Sequence, residues 1–419
     1  MLILLSGVLG CSPTASDSGA PAAIDTSETE SIFTPPHCRY RIRYPGDFEY
    51  PVDDLGVLCE GYNVISGDLL VQEYDGEDLS GLECLCEVEG SIHIEDNPNL
   101  RSLDGLGALW RVHGNVYVKR NPALVSLEGL NELIETGVGV FLYDNHALSS
   151  LQGLRSLRKT GYSLYVQNND ALLDLRGLER LETVGHSFYI LENDSMKTLD
   201  GIGNVRNIGY EFVVDRLASL ESLTEMTALL YVPGDVVISD APLLTSTRGL
   251  GSLEEVGEML AITNNSALRV LDGFESLRWI GTDLAVGGNS ALERVEPFQA
   301  LDAIGDDVRI MENQRLVSLE FMEGIPEIPG DLRLEDNGAL SDLEGLSDVL
   351  SVGENLSITY NPILTSLDSL HQLQRIGGDL TLHDNESLPA SAIAAFLDAL
   401  GEDAVQGDIY LKAEEQKTE

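Results

Sequence analysis

The chain has 419 residues, 43% of them hydrophobic but only 6% aromatic, so any core must be built from Leu, Val and Ile. Lys and Arg number 25 against 70 Asp and Glu, a net charge of 25 − 70 = −45. This balance excludes nucleic acid and anionic lipid surfaces as partners, because both require clustered Lys and Arg.

From the N-terminus, Leu2 to Leu9 is an apolar run broken only by Ser6 and Gly7 and followed by Gly10-Cys11. A small residue before a Cys, after a short apolar stretch, resembles the lipobox of bacterial lipoproteins, in which the Cys carries the lipid. The run is too short to span a bilayer, which takes about 20 residues. No Lys or Arg precedes it where a basic n-region belongs, leaving open a start upstream of Met1. Residues 1–10 are therefore expected to be a signal peptide, and residues 11–36 the lipidated Cys11 with a disordered linker. Ser12 to Pro36 holds Ser, Thr, Ala, Pro, Asp and Glu with almost nothing to bury. The likeness implies an outer-membrane-anchored lipoprotein at the cell envelope of a Gram-negative bacterium, touching the membrane through its lipid alone.

Residues 37–61 form an expected N-terminal cap. Cys38, Cys59, Cys84 and Cys86 are the remaining cysteines, an even number confined to one end. Behind an export signal they point to disulfides, with three pairings open. Zinc is the alternative, and no second Cys-x-x-Cys or His pair lies nearby to complete a site.

A fixed repeat fills residues 62–388. Asn stands at 97, 121, 145, 169 and 193, and again at 265, 289, 313, 337, 361 and 385. The interval is 24 throughout, except for a gap of 72 in which Leu217 and Ala241 hold the two missing positions. Leu follows three residues later in every coil, from Leu100 to Leu388, with Met196 the one exception. Further apolar offsets are seen in Leu127, Leu130, Leu133 and Phe141, the last flanked by Val140 and Leu142. Gly129 and Gly137 mark turn positions where a positive φ is expected. Such a period predicts a solenoid, since one coil cannot bury its own apolar face. The Asn column is expected to bond to backbone or to the Asn of adjacent coils. An upstream coil, Gly67 to Leu85, slips by one residue. Residues 389–419 complete the stack with a short helix, spaced by Ile393, Phe396, Leu397 and Leu400, then a last strand over Gly407 to Leu411 and the tail.

The phrase Leu364-Thr365-Ser366-Leu367, continuing to Ile376-Gly377-Gly378-Asp379-Leu380-Thr381-Leu382, resembles the receptor L-domain family. Residues 59 to 411 carry the likeness, and Cys59-Glu60-Gly61-Tyr62-Asn63-Val64-Ile65-Ser66-Gly67 is similar to that family's opening. The resemblance implies a mainly β fold, a single right-handed parallel β-helix with leucine-rich-repeat-like coils. It also implies a disulfide from Cys38 to Cys59. The Cys-rich module that follows in receptors is missing, so growth-factor binding and kinase signalling do not carry over.

Alternation along each strand sends its middle residue outward. That column runs His93, Tyr117, Phe141, Tyr165, Tyr189, Val213, Val237, Ala261, Ala285, Arg309, Arg333, Ser357 and Thr381. Tyr117, Phe141, Tyr165 and Tyr189, widened by Tyr143 and Leu191, are the candidate ligand face for an extracellular or envelope protein or a glycan. The competing reading is a cross-strand ladder that only stabilises the sheet. Asp235, Asp283, Asp307, Asp331 and Asp379 edge the C-terminal half and would suit a cationic or metal-bridged ligand; no motif marks a calcium site, and no metal or cofactor is implied. The chain is expected to be non-enzymatic, because carboxylates such as Asp104, Glu128, Asp200 and Asp272 recur on most coils as a scaffold feature, whereas a glycosidase needs one framed pair. His113 and His186 occupy different offsets, which speaks against a His-based site. A structural spacer of the envelope is the alternative function.

Overall fold

The computed structural model describes residues 35–223 and 226–411. Two units are distinguished, Met1–Arg39 and Tyr40–Glu419. The described part of the first contains the single 3-10 turn Pro36–Cys38. The apolar run, Cys11 and nearly all of the linker lie outside the described residues. Among the described residues no helix is long and apolar enough to cross a membrane.

The second unit is a parallel β-solenoid. Its main sheet holds 16 strands, from Phe48–Tyr50 to Ile409–Leu411. Neighbours pair in register at the repeat interval, for example Val140 with Leu164 and Phe141 with Tyr165. The interval shortens at the start, where Leu69 pairs with Ile92 and Phe48 with Leu69. It lengthens at the end, where Leu380 pairs with Ile409 because the helix Ala390–Leu400 intervenes. The strand Val140–Tyr143 shows why these segments form: Val140 and Leu142 are fully buried while Phe141 and Tyr143 face outward, half-buried. Leu124, Leu127, Leu130 and Leu133 are also fully buried, so each coil contributes a layer to one continuous interior.

The Asn column is an amide ladder inside this interior. Asn121 Nδ2 donates to the Ile94 carbonyl at 2.9 Å and to Asn145 Oδ1 at 3.1 Å, and Asn121 N–H donates to the same oxygen at 3.1 Å. The residue before each Asn is left-handed, with φ near +55° at Asp144, Asn168 and Glu192, and the same angle recurs at Arg216 before Leu217. The two coils without Asn keep the register, Phe188 to Phe212 to Val236 to Leu260. There the ladder stops at Asn193, whose amide turns to the carbonyls of Val166 and Leu191, and resumes where Asn265 Oδ1 accepts the Ala241 N–H. Leu217 and Ala241 fill the gap as buried apolar residues.

A second sheet of two-residue strands closes the coils. It runs from Arg43–Tyr44 to Asn207–Ile208, resumes at Tyr231–Val232, ends at Ala303–Ile304 and resumes at Glu327–Ile328. Both breaks have the same cause. Gly209 and Gly257 donate their N–H to the carbonyls of Val184 and Val232, at 3.0 and 2.8 Å. The equivalent position between them is Pro233, and Pro329 repeats the substitution further on. Proline has no N–H, so Ile208 and Ile304 lose that partner and the ladder parts.

Two expectations are corrected. Gly129 does have positive φ, +113°, but Gly137 does not. A Cβ on Gly137 would sit 2.1 Å from the His113 carbonyl oxygen, so close approach between coils is what selects glycine there. Cys59 bonds to Cys84 rather than to Cys38, the two Cα atoms lying 5.4 Å apart. They are 25 residues apart, about one coil, so stacking makes them neighbours. Cys38 and Cys86 are also disulfide-bonded.

Candidate recognition surface

The outward column of the main sheet brings the predicted aromatic residues together. In-register pairing places His93, Tyr117, Phe141, Tyr165 and Tyr189 on five adjacent strands. Their ring centroids are 4.9, 4.8, 5.2 and 4.4 Å apart in that order, with planes inclined by only 20–28°. The rings therefore stack face to face along the solenoid, and what they offer outward is edges and hydroxyl tips. Tyr143 joins as a side ring, 6.0 Å from Phe141 and 5.8 Å from Tyr165. Burial pushes the Tyr143 phenol well above its ordinary value, and burial with the Glu211 contact does the same to Tyr189. These hydroxyls stay protonated donors. Tyr189 OH donates to Glu211.

One end of the ridge is charged. Glu95, nearly buried, receives His93 Nδ1 at 3.0 Å, Lys119 Nζ at 3.1 Å and Arg120 Nη2 at 3.4 Å. Lys119 Nζ also lies 5.2 Å from the Tyr117 ring centre, a cation–π contact. Beyond Tyr189 the column shortens to Val213, Val237, Ala261 and Ala285. Val237 and Ala261 are 9% and 3% exposed, so outward direction does not give exposure where longer neighbours flank a small side chain. Leu191 is buried too, at 6%, and does not widen the exposed face as alternation suggests.

Past this trough the carboxylate edge is already engaged. Asp283, Asp307 and Asp331 accept the backbone N–H groups of Asp307, Asp331 and Asn355 in the next coils, at 3.2, 2.6 and 2.9 Å. Arg309 pairs with Asp283 at 2.9 Å and with Asp307, and Arg333 pairs with Asp331 at 2.6 Å. Asp283, Asp306 and Asp307 lie close enough together to hold a cation, yet Arg309 already supplies one there.

A second aromatic row escaped the strand-based reading. Tyr162 stacks on His186 at 4.3 Å, and His186 meets Tyr210 in a tilted contact at 5.1 Å, on the corner that leads into the main sheet. Their 24-residue spacing was the available signal, but they lie between strands, where alternation assigns no direction. Burial lowers the His186 pKa, and Tyr210 OH lies 3.2 Å from Glu258. His113 lies apart, against buried Glu87.

No family model matches the sequence, and no curated protein matches it. Among solved structures, a chain in the crystal structure of a TLR13–ssRNA13 complex is 12% identical with a TM-score of 0.26. That alignment covers 82% of this chain, which spans 64% of the other chain's length.

Proposed function

We propose that the protein is a non-enzymatic recognition module that binds an extracellular or envelope protein across the aromatic ridge from Tyr117 to Tyr189. The observation that carries this is the contiguous row of half-buried rings on an open sheet face, with phenol hydroxyls at its rim. Exposed aromatic patches of this kind concentrate binding energy. A glycan fits less well, because sugar rings stack on aromatic faces and the faces of Tyr117, Phe141 and Tyr165 are each covered on both sides by the next ring. The likeness to receptor L domains supports a binding role, and the lipobox-like Gly10-Cys11 supports display from a lipid anchor at the cell surface.

Serine in place of Tyr117, Tyr165 and Tyr189, singly and together, tests the surface in pull-downs from envelope extracts and on glycan arrays. Each variant that keeps its cooperative unfolding should lose protein capture by roughly tenfold or more per central ring, the scale of a hot-spot residue. Undiminished capture by the folded triple variant would contradict the assignment and leave the ridge as a stabilising ladder in an envelope spacer. In the same cells, Cys11→Ser should move the protein out of the membrane fraction.

A further inference from the structure

The two ends of the main sheet are finished differently. In each coil the inward residues direct their N–H and C=O to the following coil, as Val140 N–H does to the Ser163 carbonyl at 3.0 Å, and the outward residues direct theirs to the preceding one. In the first strand, Glu49 is the residue whose backbone faces away from the sheet. Its N–H donates to Asp53 Oδ2 at 3.0 Å and its carbonyl accepts the Asp53 N–H at 2.7 Å, so this edge is sealed. In the last strand the outward-facing groups belong to Ile409 and Leu411, in register with Leu380 and Leu382. No described residue bonds to them. Leu380 and Leu382 are buried, whereas Ile409, Tyr410 and Leu411 are 47%, 50% and 43% exposed. The helix Ala390–Leu400 buries Phe396 and leaves this strand uncovered.

Charge selects the occupant. Residues 376–419 contain Asp379, Asp384, Glu386, Asp398, Glu402, Asp403, Asp408, Glu414, Glu415 and Glu419 against only Lys412 and Lys417. A second copy paired edge to edge would set these carboxylates against their own kind, and head-to-tail pairing meets the sealed edge at Glu49. We infer that the open edge receives an extended basic peptide, with apolar residues alternating with Lys or Arg, added as a further strand. Its backbone bonds to Ile409 and Leu411. Its apolar side chains cover those two residues, and its basic ones meet Asp384 and Asp408. A shallow, open depression bounded by His383, Asp384 and Ile409 to Leu411 lies along this edge. This site is separate from the aromatic ridge.

Fluorescence anisotropy of a fluorescein-labelled heptapeptide of alternating lysine and valine, titrated with the full chain at 0.15 M salt, tests the inference. Ile409→Pro is the deciding variant. It removes an outward N–H, keeps the net charge and leaves intact the Asp408 carbonyl, which accepts the Leu380 N–H at 2.9 Å. Affinity should fall at least tenfold in Ile409→Pro, and a glutamate-for-lysine peptide should not bind. Equal affinity for Ile409→Pro and wild type would show mere attraction to a polyanion and overturn the inference. If Ile409→Pro loosens the last strand, the double variant Asp384→Asn/Asp408→Asn is compared with Asp104→Asn/Asp200→Asn. Weakening confined to the first pair supports the site, and equal weakening by both overturns it. Light scattering that gave a dimer, converted to monomer by Ile409→Pro, would assign the edge to a second copy instead.

Discussion

Glu312 and Gly137 make opposite demands on the backbone, and substitutions there should have opposite signs. Glu312 is exposed and held at φ +59°, a conformation that costs a non-glycine residue roughly 1 kcal/mol. Gly288 holds the same position one coil earlier, at φ +67°. Glu312→Gly should therefore raise stability by a few tenths to about 1 kcal/mol, the relief being partly offset by the greater freedom of glycine in the unfolded chain. Gly137→Ala should cost about 1–3 kcal/mol, because its Cβ collides with the His113 carbonyl and coils cannot part locally. Urea unfolding measures both, and a gain for Gly137→Ala would contradict the close-approach argument. The sequence made the Asn and Leu columns legible because one chemistry recurs at each. The left-handed column was not legible. Its occupants include Asp144, Arg120, Glu192 and Tyr360, which share a backbone angle and nothing else. The conformation also holds at Arg216 and Asp240, which precede Leu217 and Ala241, so it belongs to the turn of each coil and not to one side chain.

Among the elements, the main sheet was foreseen in register, because its alternation is strict and its inner face is dry. The return sheet was not resolved from sequence. Its strands are two residues long, too short for a pattern, and Pro233 and Pro329 show their meaning only once the glycine N–H bonds are seen. Pro233→Gly should restore the missing bond to Ile208. Hydrogen exchange at residue 233 should then be as slow as at Gly209 and Gly257, and a fast-exchanging amide there would contradict the cause given for the break. The cysteine pairing was beyond sequence for a different reason. Four cysteines allow three pairings in sequence, and only the stagger between coils brings Cys59 beside Cys84. For the candidate site, alternation placed all five rings of the ridge correctly but overstated the reach of Leu191 and Val237, whose exposure depends on neighbours in other columns.

On the scale of the second unit, one geometric fact organises the surface. A constant register converts residues 24 apart into neighbours on adjacent strands, with ring centroids 4.4–5.2 Å apart along the ridge, so any side chain repeated in sequence becomes a continuous stripe in space. The same rule that builds the leucine interior builds the aromatic ridge, and it turns the C-terminal charge pattern into an acidic end. The main-sheet face is the one proposed to bind, because the return face carries short, broken strands and the shorter row Tyr162, His186 and Tyr210 sits at the corner between the two faces. The most direct test is site-specific photocrosslinking on intact cells, with p-benzoylphenylalanine placed at Tyr143 on the main sheet or at Thr183 on the return sheet. Single replacements at these partly exposed positions leave the core untouched. The prediction is one discrete protein adduct from position 143, displaced by excess unlabelled protein, with none from position 183. Adducts from 183 alone, or an identical set from both, would contradict the assignment of the ridge as the working surface.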